Sequence, residues 1–440
     1  MLGYLMATVP TFVLIPCLLA LGSAVGISCM IVPSRTDGFL SRISYFMNYE
    51  LPSGLRRLCF AIPGGERVYN GGRDLFHWVA FKPNPLLQMV YFGLVCGGYV
   101  LMTQFGFPKL PNAYMGEIHI WLGSAVVAIT MYSWYLACTK SAGVITHDNW
   151  EQFDNYPYDE QMYGPGQFYV YEEKNRPRIP KLARSKHDAI TDKVYAKFDH
   201  FCPWLNNAVG EQNYRFFIWF LMMTECTLAY GTAIAATVLL SIIDEEQLLE
   251  AEFHNRMTGE RVKASYRIVF QWLMFHHSPL MMLLLLCGVM GFVVFLFTCY
   301  HVYLASSNTT TNETFKWSSF KNYWDRIQRR KAAKRDAMNG TKSHGGRFRC
   351  CVCFNMCCGK DDDGYEPCPP NIYDLGAVKN IKSVLYPISL YRPKRPVKSR
   401  YTDLKEWDRL AKEEATRELR AKENANDKAD KKPKKGKKTK

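Results

Sequence analysis

Asp199-His200-Phe201-Cys202-Pro203-Trp204-Leu205-Asn206-Asn207 stands shortly before Phe216 to Ile243, a long apolar run broken by one charge, Glu225. That run is long enough to cross a hydrocarbon core of about 30 Å as a helix. A cysteine flanked by an acid and an imidazole is therefore delivered to a membrane surface. Four more apolar runs lie on either side. Leu2 to Val32 carries no charge; it lacks a basic leader and exceeds a signal-peptide core, so it reads as a retained span. Leu86 to Phe107, Ile118 to Thr139 and Leu280 to Ala305 complete the set. The expected fold is an all-α polytopic membrane protein of five transmembrane helices, with a small cytosolic domain between spans three and four.

Charge supports that layout. Of the 55 Lys and Arg residues, 33 follow Glu313, a segregation that one globular core would not show. The loops 33–85 and 140–215 carry seven and ten Lys/Arg, whereas 244–267 carries four against six acids. Basic loops face the cytosol, so both loops and the tail are placed there, with the amino terminus outside it. The expected organisation is span 1 at 1–33, a cytosolic loop at 34–85, and spans 2 and 3 within 86–139. The cytosolic domain follows at 140–215, span 4 at 216–243, and a lumenal loop at 244–279 whose segment Ile268 to Phe275 is interfacial. Span 5 is placed at 280–305, then a cytosolic tail at 306–401 and a charged helical or disordered end at 402–440. Fifteen cysteines without small-domain spacing on a reducing face argue against a disulfide framework.

The central loop carries Lys181-Leu182-Ala183-Arg184-Ser185-Lys186-His187, then Lys197 to Gly210 around Cys202, then Asn213-Tyr214-Arg215-Phe216-Phe217. From Lys181 to Tyr214 this resembles, without a gap, the cysteine-rich domain of the DHHC family of protein S-acyltransferases. Thr310-Thr311-Asn312-Glu313 resembles the family's TTxE motif. Asn371 to Gly376, with Asn380, resembles its tail segment that packs back on the catalytic domain. Gly143 is what remains of an Asp-Pro-Gly motif. The layout is similar to the branch that resides in the endoplasmic reticulum and acylates SNAREs.

The resemblance implies palmitoyl transfer from acyl-CoA to protein cysteines. Cys202 would be the acyl-carrying nucleophile, His200 its proton acceptor and Asp199 the group that orients the imidazole. Asn213, Thr311 and Asn380 would brace the site. Lys181, Arg184, Lys186, Lys193 and Lys197 are candidates for CoA phosphates, or form a lipid-facing patch. The partners expected are acyl-CoA, the bilayer and membrane proteins with juxtamembrane cysteines, SNAREs among them, and no nucleic acid. The competing readings are a membrane scaffold that keeps the fold without turnover and, more weakly, an ion or metal transporter built on Glu225.

Family members bind two zinc ions, each through three Cys and one His. The corresponding positions here are Lys174, Pro177, His187 and Val194 for one site, and Asp188, Thr191, Phe201 and Ala208 for the other. Zinc needs about four N, S or O ligands, and these sets do not supply them unless a neighbour such as His147 steps in. Zinc is expected to be absent, and no metal ligand is assigned. Val194, Phe201 and Ala208, with Ile190, Tyr195, Phe198 and Leu205, are expected to form an apolar core instead.

In the tail, Cys350, Cys351, Cys353, Cys357, Cys358 and Cys368 could be acylated, bind metal weakly or stay unmodified. The terminal Lys437-Lys438-Thr439-Lys440 resembles a dilysine retrieval signal or binds anionic lipid. An endoplasmic reticulum membrane location is expected, the Golgi being the alternative. The N-x-T triplets at Asn308, Asn312 and Asn339 fall on the cytosolic side, where they would not be glycosylated.

Overall fold

The computed structural model describes residues 45–46, 50–159, 168–169, 179–254, 261–339 and 368–391. Four helices are long and apolar enough to cross a membrane. They are α3 (Leu86–Leu101, continued by a π turn Met102–Gly106 and a 3-10 turn Phe107–Lys109), α4 (Ile118–Thr139), α6 (Tyr214–Glu245) and α8 (Ser278–Ser306). They coincide with four of the five expected spans; the first, Leu2 to Val32, lies outside the described residues. Before α3 come α1 (Leu51–Phe60) and α2 (Gly65–Phe81).

Helix α6 is the axis of the bundle and packs on both α4 and α8. Each span is apolar on all sides, so hydropathy alone does not pick the inner face. Small hydroxyls do so. Thr130 Oγ1 on α4 meets Thr227 Oγ1 at 2.7 Å and Met223 O at 2.9 Å, both on α6, and Tyr91 Oη on α3 meets Thr224 Oγ1 at 3.0 Å. Inside hydrocarbon such groups have no water to turn to, so they turn to each other.

Between α6 and α8 a hairpin, β8 (Glu252–His254) with β9 (Arg261–Lys263), leads into α7 (Tyr266–His276). This helix contains the segment expected to be interfacial. Ser265 caps it, its Oγ accepting from Ile268 N at 3.4 Å. After α8 come α9 (Thr311–Asn339), α10 (Ala377–Leu385) and α11 (Ile388–Tyr391). The far tail at 402–440, and with it the terminal lysines, lies outside the described residues.

The loop between α4 and α6 corrects the all-α expectation. Among its described residues, apart from the short helix α5 (Trp150–Phe153), it is built of paired strands of two or three residues. These are β1 (Val144–Ile145), β2 (Phe168–Tyr169), β3 (Ile179–Pro180), β4 (Lys186–Asp188), β5 (Lys193–Tyr195), β6 (His200–Cys202) and β7 (Asn207–Val209). A three-stranded sheet runs β1-β5-β4, and β6 pairs with β7 so that Phe201 faces Ala208 and Cys202 faces Asn207. Strands this short show no alternation in sequence, which is why a helical fold class left them out.

Two glycines let the sheet close on α6. Gly143 sits at φ +94°, a left-handed conformation that side chains resist. A Cβ on Gly210 would lie 2.5 Å from Ala142 O and 3.0 Å from Ala196 O. The backbones touch there, and Glu211 N donates to Ala196 O at 3.0 Å.

Two of the positions where family members carry zinc ligands, Val194 and Ala208, sit in apolar clusters. Val194 is fully buried with Ile145, Phe153, Ile179 and Leu182. Ala208 is fully buried with Ala142, Tyr195 and Phe198. The single expected core is thus two clusters, and Leu205 belongs to a third, around Cys202; Ile190 and Phe201 are half-buried. The polar remnants are engaged elsewhere: His187 Nε2 meets Asp192 Oδ1 at 3.0 Å, and Asp188 Oδ2 accepts from Thr191 N and Oγ1. Lys174 and Pro177 lie outside the described residues. Among the described residues no three His, Cys, Asp or Glu come together as a metal site.

Candidate active site

Strand β6 carries His200 and Cys202 two residues apart, so both side chains lie on the same face. His200 Nδ1 and Asp199 Oδ2 are 2.5 Å apart, and the Cys202 thiol is close enough to act on the charge of the ring. Asp199 is buried at 2% exposure, whereas about a quarter of the His200 side chain reaches solvent. The Asp199 carboxylate is held from behind by Thr311, whose N donates to Oδ1 at 2.6 Å and whose Oγ1 donates to Oδ2 at 3.0 Å. An acid, an imidazole and a thiol therefore stand in one row, anchored at its acidic end by hydrogen bonds.

Burial opposes charge on His200, but the Asp199 carboxylate bonded to it and the Cys202 group beside it raise its pKa to about 10. Burial likewise opposes charge on Asp199, yet His200 and the Thr311 amide pull its pKa below the usual carboxylate range. Both groups are set to be ionised in the neutral range. A charged imidazole beside a thiol favours the thiolate, the nucleophilic form.

Cys202 is itself buried in an apolar setting. Around it pack Ala137 at the end of α4, Phe217, Phe220 and Leu221 on α6, and Ala305 on α8. The thiol therefore lies at the membrane-surface end of three spans. Asn207 fixes this junction by donating from Nδ2 to Ala137 O, Cys138 O and Lys140 O. Trp134 Nε1 on α4 reaches Trp204 O at 3.3 Å. Glu225, on α6, is half-buried beside Gly291 of α8 and takes no part in this row.

The bracing residues are each engaged with backbone. Asn213 Oδ1 accepts from Gly210 N at 2.9 Å, and its Nδ2 donates to Ala208 O at 2.8 Å. Asn380, fully buried, donates to Ser306 O at 2.7 Å and to Asp374 Oδ1 at 2.6 Å, and accepts from Leu375 N. It ties α10 to the end of α8.

The five basic candidates separate into two groups. Arg184, at 1% exposure, makes a bidentate pair with Glu313, Nε to Oε1 and Nη2 to Oε2, both at 2.7 Å. It also donates to Asn308 and lies over the Tyr156 and Tyr373 rings. Lys197 is buried and its Nζ donates to Asn308 Oδ1 at 2.8 Å. Both side chains face inward, and burial first, then the Arg184 charge, lowers the Lys197 pKa to about 7. Neither therefore stands at the surface, where the sequence makes it a candidate for phosphate. Lys193 is exposed on β5. Lys181 and Lys186 are half-buried, and their charges reach Lys316 of α9, which is half-buried as well. Burial first, and then the charges of Lys181 and Lys186, lower the Lys316 pKa to about 8 against the pull of Glu313.

Lys316 escaped the sequence reading, although its place three residues after Glu313 was available as a signal. Tyr214 and His301 escaped it too. The Tyr214 hydroxyl lies 3.1 Å from His301 Nδ1, and the His301 ring stands 5.9 Å from that of His200. His301 lies near the carboxyl end of α8 (Ser278–Ser306), buried among apolar side chains, where an imidazole is costly unless it has a partner. Asn308 is buried and fully occupied by these contacts, its Nδ2 donating to Tyr373 O at 2.6 Å.

Residues 172–318 match the DHHC palmitoyltransferase family. Palmitoyltransferase SWF1 of Yarrowia lipolytica is 29% identical over 321 residues, 67% of this chain and 79% of the relative. Palmitoyltransferase swf1 of Schizosaccharomyces pombe is 26% identical, covering 65% of this chain and 74% of its own length. Palmitoyltransferase ZDHHC4 of mouse is 27% identical, covering 52% and 64%. The matched segment begins within the strand-built loop and ends in the first turns of α9, enclosing Asp199, His200, Cys202 and Thr311.

Proposed function

We infer that this chain, a DHHC-type protein S-acyltransferase, moves a fatty acyl group from acyl-CoA to protein cysteines through a thioester on Cys202. The observation that carries the reading is the row Thr311–Asp199–His200–Cys202, ending on a thiol at the mouth of the spans. In the first step the Cys202 thiolate attacks the thioester carbonyl, the bond from carbonyl carbon to CoA sulfur breaks, and His200 gives its proton to the departing thiolate. In the second, a substrate cysteine loses its proton to His200 and attacks the acyl-Cys202 carbonyl, which frees the Cys202 thiolate. Asp199 keeps the imidazole in place and supports its charge in both. One thioester replaces another, so the exchange is nearly balanced in energy. The apolar surroundings of Cys202 favour an acyl chain that stays among the spans while CoA remains outside.

Lys181, Lys186 and Lys316 are the cations proposed to hold the CoA phosphates, since three ammonium groups gathered on one surface suit a polyanion. The small domain is proposed to fold without zinc, on its two apolar clusters. Membrane proteins with cysteines beside their spans are the proposed substrates, SNAREs among them by resemblance to the endoplasmic reticulum branch. The same resemblance supports a location in that membrane with the tail in the cytosol.

The test is direct. Purified protein with labelled palmitoyl-CoA is expected to gain a hydroxylamine-labile adduct that Cys202→Ala lacks. No adduct, or an equal one in the variant, sinks the reading. Elemental analysis of the same sample is expected to show no stoichiometric zinc.

A further inference from the structure

We propose that α1 and α2 form an amphipathic hairpin lying in the headgroup–acyl boundary of the leaflet on the catalytic side, with phospholipid covering its apolar face. The residues 34–85 read in sequence only as a cytosolic loop, and none of the chemistry at Cys202 uses them.

Three observations carry the proposal. The first is composition by face. On α2, Val68, Leu75 and Trp78 are spaced so that they share one side of a helix, and they stand 71%, 61% and 42% exposed. Glu66, Arg73 and His77 occupy the other side, and Asp74 stands at the border, where it pairs with Arg73 at 3.0 Å. At the turn between the helices, Phe60 and Ile62 are also exposed. A water-facing helix would not keep this many large apolar groups on one side, whereas an interfacial helix needs them there.

The second observation is position. Asn84, buried at the joint, donates from Nδ2 to Trp78 O, Val79 O and Lys82 O at 2.9, 3.1 and 2.8 Å. Its Oδ1 accepts from Leu86 N, the first residue of the span, at 3.1 Å. One amide therefore closes the end of α2 and opens α3, which pins the hairpin within a few residues of the point where the chain enters the membrane. The side is fixed too. Tyr91, in the second turn of α3, stacks on Trp134 at 5.5 Å, and Trp134 in turn bonds to Trp204 O beside Cys202.

The third is charge. Arg56 and Arg57 are exposed on α1 and Arg67 on α2, next to the apolar groups and suited to phosphate headgroups. A hairpin so placed would hold the surface of the enzyme against the lipid from which acyl chains and juxtamembrane cysteines arrive.

The full-length protein in phosphatidylcholine–phosphatidylserine vesicles, with a phospholipid bearing a diazirine on its acyl chain, provides the test. After irradiation and digestion, adducts are expected on Val68, Leu75 and Trp78 as well as along α3, and not on Glu66, Arg73 or His77. A Val68→Glu/Leu75→Glu variant is expected to lose about tenfold of the α2 labelling while α3 labelling and Cys202 acylation persist. Labelled α3 with unlabelled α2 overturns the proposal. So does crosslinking of a photoreactive residue at position 75 to a peptide from residues 1–44, which would make the cover part of this chain.

Discussion

Thr311 grips Asp199 twice, with its backbone N at 2.6 Å and its hydroxyl at 3.0 Å, across 112 positions of sequence. The amide survives any substitution other than proline, so the hydroxyl can be tested alone. A hydrogen bond to a charged group is worth about 1.5–3 kcal/mol, and loss of that much orientation corresponds to about a tenfold or larger fall in rate. Thr311→Val is therefore expected to slow Cys202 acylation by labelled acyl-CoA, and Thr311→Ser to restore it. A Thr311→Val enzyme at wild-type rate would show that Asp199 needs only the amide.

The pH dependence follows from His200. Folding raises its pKa from 6.5 to about 10. The stability this adds is full below pH 6.5 and drains away as pH rises through about 10. Since the imidazolium both favours the thiolate and returns the proton to CoA, acylation is expected to fall on that alkaline side. Asp199→Asn removes the main support of the charge and leaves burial, which lowers the pKa. The alkaline limb should then move toward acid by roughly two pH units or more. An unmoved limb in a rate–pH profile would detach His200 from it.

Arg184 and Glu313 form a buried bidentate pair. Removing one partner strands the other charge, at a cost of about 3–5 kcal/mol. Glu313→Gln and Arg184→Met are each expected to lower the thermal midpoint in detergent by several degrees. Arg184→Lys is expected to rescue little, because an ammonium does not reproduce the forked geometry or the stacking on Tyr156 and Tyr373. Normal stability in Glu313→Gln would count against the pair as a structural tie.

Lys316 and Lys193 offer a contrast in binding. Lys316 gathers with Lys181 and Lys186, while Lys193 stands exposed on β5. Lys316→Ala is expected to raise KM for palmitoyl-CoA about three- to tenfold with kcat little changed, as loss of uniform binding does. Lys193→Ala should leave both near wild type. Equal effects, measured as initial rates over a range of acyl-CoA concentrations, would mean a diffuse patch and not a site.

The sequence made some of this architecture plain and hid other parts for physical reasons. Long apolar runs declare spans because hydrocarbon admits little else, and α3, α4, α6 and α8 lie where those runs predicted. Asp199, His200 and Cys202 were legible because their meaning lies in adjacency. Arg184 and Lys197 were misread as outward cations, since sequence does not show which way a charged side chain turns. Both adopt left-handed backbone conformations, as does Asn308, which they share as a partner. Such conformations persist only where surroundings enforce them, and those surroundings come from segments more than a hundred residues away. The strand pairs and the meeting of Lys316 with Lys181 are equally products of tertiary contact.

The long span of the Asp199–Thr311 contact also sets an order on biosynthesis. Asp199, His200 and Cys202 emerge from the ribosome well before α8 exists, so the thiol is made before its support. Thr311 arrives only after α8 has been synthesised, and Asn308 is not completed until Tyr373 has followed. A nascent chain therefore carries Asp199 without its Thr311 support until α8 has been made.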